Sequence, residues 1–171
     1  MPTLVVVDMQ DSFIFRNESF PGYGRTIDAV KQEILAAIKR NDYIVFVEYC
    51  YESRRKGMFN TFPSRFSPTM SELTDLVFSY PKKVFVYKST NDGGEEVVAA
   101  LNYYGISRTH LRICGVYTNA CVRETVSTLS TSLSSSMIKV IQEAVCAPGG
   151  CDWQQSGGIE MMKQLDNVWI F

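Results

Sequence analysis

Leu111-Arg112-Ile113-Cys114-Gly115-Val116-Tyr117-Thr118-Asn119-Ala120-Cys121-Val122-Arg123-Glu124-Thr125-Val126 passes from an apolar run, through a short polar turn, into a stretch of helical period. Val122, Val126, Leu129 and Leu133 recur at spacings of three and four, the stripe of an amphipathic helix. The stretch therefore reads as strand, turn and helix start. The helical part continues through a Ser/Thr-rich segment, 127 to 136, that composition alone would make a linker. The period overrides that reading, and its serines are expected to face solvent or a neighbouring subunit.

Outward from this unit the same alternation repeats. Residues 4–7, Tyr43 to Val47, Val84 to Tyr87, Met137 to Val145 and Asn167 to Phe171 are further strand candidates. Ile27, Val30, Ile34 and Ile38 mark a helix between the first two, and Val97, Leu101 and Tyr104 mark one before the central strand. A weaker helix runs from Gly158 to about Leu165, with Ile159 and Met162 inward. Six strands alternating with helices predict an α/β fold with a mostly parallel sheet. No internal repeat or second composition regime divides the chain, so residues 1–171 are expected to form one domain. Residues 51 to about 70 carry no period. They collect Phe59, Phe62, Pro63, Phe66, Pro68 and the basic cluster Arg54-Arg55-Lys56, which suggests a long loop with an aromatic lid.

Composition narrows the function. The 171 residues are 46% hydrophobic and 20% charged, as in a globular domain, and 17 Lys+Arg against 18 Asp+Glu leave a net charge of -1. That balance offers no field for a nucleic acid or an anionic membrane. No apolar run approaches the roughly 20 residues of a membrane span, and no basic leader precedes residue 4, so a cytoplasmic location is expected. The five cysteines lack a C-x-x-C pair, and the chain has 1 histidine, His110, so neither a zinc ribbon nor a two-histidine site can form. His110 begins the strand that Cys121 follows, roughly 20 Å away at about 3.3 Å per residue. A Cys-His dyad is therefore not expected.

In an open parallel sheet the ligand crevice lies at the carboxyl ends of the strands. Three strands lead there to reactive residues: the first ends at Asp8, the third at Lys88, and the fourth runs on through Gly115-Val116-Tyr117-Thr118-Asn119-Ala120 to Cys121. A carboxylate, an ammonium and a thiol on one edge make a nucleophile site that needs no histidine. Cys121 opens its helix, where the dipole and free N–H groups are expected to favour a thiolate that alkylates ahead of Cys114 and Cys146. Cys114 and Cys146 read as core; Cys50 follows strand two, where it can line the crevice, and Glu48 beside it is a supporting candidate. A thiol redox role for Cys121 would need a resolving cysteine that the sequence does not place nearby.

The motifs Val7-Asp8-Met9-Gln10-Asp11-Ser12-Phe13, Val86-Tyr87-Lys88-Ser89 and Cys114-Gly115-Val116-Tyr117-Thr118-Asn119-Ala120-Cys121-Val122-Arg123-Glu124-Thr125 resemble those of the isochorismatase-like cysteine hydrolases. That family includes nicotinamidases and N-carbamoylsarcosine amidohydrolases. The third motif is similar to the family's G-x-x-T-x-x-C-V-x-x-T signature, and the likeness covers essentially the whole chain. The resemblance implies a three-layer αβα, Rossmann-like fold with a six-stranded mostly parallel sheet. It also implies an Asp8-Lys88-Cys121 triad, a cis peptide before Tyr117, and an oxyanion pocket from the N–H groups of Tyr117 and Cys121. Phe13, Gln10, Val116 and Tyr117 are the implied substrate contacts.

On this reading the protein is a metal-independent hydrolase with no cofactor. It cleaves a C–N bond of a small amide, ureido or carbamoyl substrate through a thioester. The alternatives are a catalytically silent binding or regulatory protein on this fold, and a nicotinamidase despite a missing metal site. Nicotinamidases resemble one another in an Asp/His metal site after strand two, where this chain has Glu48-Tyr49-Cys50-Tyr51-Glu52-Ser53. Cys121 points away from vinyl-ether cleavage, because true isochorismatases generally lack that cysteine. After Lys88 the run Ser89-Thr90-Asn91-Asp92-Gly93-Gly94 departs from the family's Ser-x-Phe pattern. Family members are usually dimers or tetramers, and the small, charge-poor face from Ser127 to Ser136 suits a homo-oligomer contact.

Overall fold

The structure is a computed structural model that describes residues 2–14, 22–50, 67–148 and 151–171. The proposed lid, with Phe59, Phe62, Phe66 and Arg54-Arg55-Lys56, falls at 51–66 and lies outside the described residues, as do Tyr51 to Ser53.

The six strands are β1 (Thr3–Val7), β2 (Tyr43–Tyr49), β3 (Lys83–Lys88), β4 (His110–Val116), β5 (Met137–Cys146) and β6 (Val168–Ile170). They form one sheet in the order β3-β2-β1-β4-β5-β6, and every pairing is parallel. The helices are α1 (Asp11–Ile14), α2 (Gly22–Arg40), α3 (Ser71–Thr74), α4 (Gly94–Tyr103), α5 (Arg123–Ser132) and α6 (Asp152–Lys163). Strand order reverses between β1 and β4, so the crevice of this sheet opens where β1 ends beside β4.

Parallel strands are buried on both faces, which is why β1 and β2 are near-continuous apolar runs. Val5, Val7, Val45 and Val47 pack with Val97, Leu101, Val126, Leu129 and Ile159 of α4, α5 and α6. Leu4, Val6, Ile44 and Phe46 turn the other way, onto Val30, Ile34 and Ala37 of α2 and Leu73 of α3. Arg112 of β4 forks both oxygens of Glu33 on α2, at 2.9 and 2.8 Å, and ties that layer down.

Two details differ from the periodicity. Tyr104 is 53% exposed: α4 stops at Tyr103, Gly105 turns the chain at φ +63°, and Ile106 enters the core instead. The last helix starts at Asp152 rather than Gly158, because its first turn carries an exposed Trp153 and no inward stripe. Its inward residues, Ile159 and Met162, are buried as the spacing predicts.

Candidate active site

β1 ends in a sharp turn. Asp8 adopts φ +50°, a conformation that Asp tolerates better than most residues, while its N–H still donates to Val47 O at 2.9 Å. Lys88 closes β3, two strands away, and its long side chain crosses the end of β2. Its Nζ comes to 2.8 Å from Asp8 Oδ2, with the two side chains 0% and 2% exposed. The contact is a buried ion pair between the two elements. Lys88 Nζ also donates to the Asn91 carbonyl at 2.6 Å and lies 5.9 Å from the Tyr49 ring centre.

The nucleophile candidate arrives from the other side. Gly115 runs at φ +123°, and a Cβ built there would fall 2.0 Å from Val7 O, so only glycine lets β4 lie this close to β1. The Val116–Tyr117 peptide is cis. Beyond it the chain makes one widened turn, Thr118–Val122, before α5. Tyr117 O accepts N–H groups from Ala120 at 3.1 Å and Val122 at 3.0 Å, on either side of Cys121. Gln155 of α6 braces this turn, accepting from the Thr118 hydroxyl at 2.6 Å and donating to Val145 O at 3.1 Å.

Cys121 is 6% exposed, and its thiol faces the Asp8 carboxylate. The expectation of a resting thiolate is corrected. Burial, first, and the Asp8 charge, second, push the thiol up to about 12, against the opposing pull of Lys88 and the Tyr117 N–H. Cys121 sits in the widened first turn that runs into α5, and the Tyr117 N–H there favours the thiolate, but burial and the Asp8 charge outweigh it. Burial likewise raises Asp8 above the usual carboxylate range; Lys88 and the thiol pull it down, and Glu48 adds to the rise. The resting pair is a protonated sulfur beside a carboxylate of raised basicity, and a proton passing between them creates the nucleophile.

Around this pair stands an aromatic frame. Phe13 meets Tyr49 and Tyr117 edge to face, each at 5.9 Å between ring centres. The Tyr117 hydroxyl donates to Phe13 O at 2.7 Å, and burial holds its proton well above the ordinary phenol range.

The other sequence candidates fall differently. The Gln10 amide is already engaged: Nε2 donates to Tyr49 O at 3.0 Å and to Ser67 O, and Oε1 accepts from Tyr49 N–H at 2.7 Å. Val116 turns its side chain into the α2 layer of the core. Cys50 is half-buried and shares a cavity of about 240 Å³ with Tyr87, Lys88, Ser89 and Glu96. Cys114 and Cys146 are buried, and His110 is exposed at the far end of β4. Sequence reasoning did not single out Asn91, whose Oδ1 lies 3.8 Å from Cys121 Sγ. Its only signal was its place in the run after Lys88 that departs from the expected motif.

Fold and site together define a parallel α/β protein whose candidate reactive groups gather at the strand-order reversal. The family model described as Isochorismatase domain matches residues 2–165, and the chain belongs to that family. Among solved structures it is similar to the pyrazinamidase/nicotinamidase of Streptococcus mutans, at TM-score 0.79 and 15% identity, covering 100% of both chains. It is similar to the N-carbamoylsarcosine amidase of Thermoplasma acidophilum, at TM-score 0.75 and 19% identity, covering 99% of this chain and 94% of that one. The pyrazinamidase of Pyrococcus horikoshii, solved in complex with zinc, aligns at TM-score 0.73 and 20% identity over 99% and 98% of the two chains. No curated protein matches in sequence.

The residues here do not fit an Asp/His metal site like that implied for nicotinamidases. Glu48 is buried with Oε1 held by the Thr69 N–H at 2.7 Å, and the chain's 1 histidine is at the other end of the sheet. Among the described residues no group of three or more His, Cys, Asp or Glu is placed to hold a metal ion.

Proposed function

We propose that the protein is a metal-independent cysteine amidohydrolase, cleaving a C–N bond of a small amide, ureido or carbamoyl compound through a thioester. The observation that carries this reading is the buried Lys88–Asp8 ion pair facing the Cys121 thiol. Asp8 takes the thiol proton as sulfur attacks the substrate's carbonyl-type carbon. Lys88 steadies the negative charge as it passes from the carboxylate to the sulfur. The N–H groups of Tyr117 and Cys121 receive the developing oxyanion, which the widened turn supports by directing Ala120 and Val122, and not Cys121, to the Tyr117 carbonyl. The C–N bond breaks as the nitrogen collects the proton from Asp8 and leaves as ammonia or an amine. Water, deprotonated by the same carboxylate, then opens the thioester and restores the thiol. Phe13 and Tyr117 form the wall for a small planar substrate, and Gln10 acts by holding the ends of β1 and β2 together.

The test is ammonia release over a panel of nicotinamide, ureido, carbamoyl and biuret compounds, with Cys121→Ala as control. At least one compound is turned over, Cys121→Ala is inactive, and exhaustive chelation leaves the rate unchanged. Asp8→Asn and Lys88→Ala each lower the rate by roughly two to four orders of magnitude. Silence across the panel, or a metal required for turnover, would sink the proposal.

A further inference from the structure

Asn91 is an exposed residue whose backbone is held as if it were buried. Its carbonyl accepts the Lys88 ammonium at 2.6 Å. The next residue, Asp92, accepts the Thr128 hydroxyl of α5 at 2.6 Å and the Gly94 N–H at 2.8 Å, and Gly93 N–H donates to Thr125 Oγ1 at 3.0 Å. Gly93 has no room for a side chain: a Cβ there would lie 2.7 Å from Val47 and 3.0 Å from the Lys88 stem. The loop is thus clamped between the triad lysine and the helix that follows the triad cysteine. What the clamp presents is a carboxamide at the solvent side of the sulfur, with Oδ1 3.8 Å from Sγ and Nδ2 unpartnered among the described residues.

We infer that Asn91 is a specificity-determining residue that accepts an N–H of the substrate's carboxamide or ureido nitrogen. This rests on the amidohydrolase reading and narrows its substrate class. In the resting site Oδ1 accepts the thiol. When the thiol proton passes to Asp8 that acceptor loses its donor, close to where the nitrogen of a carbonyl under attack by Sγ must lie. A nitrogen bearing hydrogen restores the bond. An ester oxygen, a carboxylate or a fully alkylated nitrogen offers no donor and leaves Oδ1 facing another acceptor or a methyl group, so such compounds are discriminated against.

The experiment uses the full chain and no turnover. Alkylation of Cys121 by 2-iodoacetamide and by 2-iodo-N,N-dimethylacetamide is followed by peptide mass spectrometry, with Cys151, half-buried and remote in sequence, as reference in the same tube. Both reagents are neutral and carry the same carbonyl; one has N–H groups and the other none. Relative to Cys151, Cys121 prefers the primary amide by about fivefold or more, the factor for one hydrogen bond. Asn91→Leu, similar in bulk without polar atoms, and Asn91→Ala both bring that preference close to one. A preference that survives in both variants overturns the inference, as does its absence in the unsubstituted protein. So does an equal fall with both reagents, which would assign Asn91 to the thiol alone. Because alkylation needs no substrate, a silent ammonia panel beside a retained preference counts against the hydrolase and not against recognition of the N–H.

Discussion

Lys88 and Asp8, from strands that are not neighbours, form an ion pair sealed from solvent, at 2.8 Å between Nζ and Oδ2. Breaking one side of such a pair strands the other charge in the interior. Asp8→Asn leaves Lys88 without its carboxylate and is expected to lower unfolding free energy by about 3 kcal/mol. The double variant Asp8→Asn/Lys88→Met removes both charges and recovers most of that loss. Denaturant unfolding of the two variants checks this, and a double variant no more stable than the single one would refute it.

The raised thiol of Cys121 has a reactivity consequence. At neutral pH the half-buried Cys50 and Cys151 are expected to alkylate first, Cys121 next, and fully buried Cys114 last. Labelling of Cys121 rises with pH toward about 12 instead of levelling off near neutrality. Time-resolved mass spectrometry gives the order directly; a Cys121 that saturates below pH 8 would mean a resting thiolate after all.

The same shift links Cys121 to alkaline stability. Its pKa is raised from 9.0 in the unfolded chain to about 12 in the fold, so the folded state holds the proton more tightly. That contribution is complete below pH 9 and is lost as pH climbs from 9 to 12, because over that range the unfolded thiol releases its proton first. The stability difference between the protein and Cys121→Ser should therefore shrink across this window. A difference that stays constant from pH 8 to 11 contradicts the shift.

Gln10 and Gly115 carry structural rather than chemical predictions. Gln10→Ala removes the amide that joins the ends of β1 and β2, and should lower stability by about 2 kcal/mol while leaving KM within about twofold. A large rise in KM at unchanged stability would make Gln10 a substrate contact. Gly115→Ala forces a methyl group against Val7 O at a positive φ and should fail to yield folded protein, as judged by solubility and circular dichroism.

The strands and the long helices were legible in the chain because each is a local signal. A buried parallel strand must be apolar throughout, and a helix packed on one side must repeat every three or four residues, whatever the rest of the molecule does. The placement of Asp8 and Lys88 at strand ends and of Cys121 in the turn after β4 was legible for the same reason, since alignment in a parallel sheet gathers carboxyl ends on one edge. Proton location was decided elsewhere. A thiol at the start of a helical stripe reads as a thiolate from local dipoles alone, but burial and a carboxylate delivered by β1 outweigh them, and neither is a property of the sequence around Cys121. The use of hydroxyls in α5 was equally non-local. Thr128 and Ser130 look like solvated positions in a serine-rich run, yet they bond Asp92 and Asn167 from distant parts of the chain, as Thr125 just before the run bonds Gly93. Asn91 and Gln10 show the same limit in opposite directions: a loop residue stands beside the sulfur, and a motif residue is occupied by its neighbours, because hydrogen-bond partners are assigned by packing and not by order along the chain.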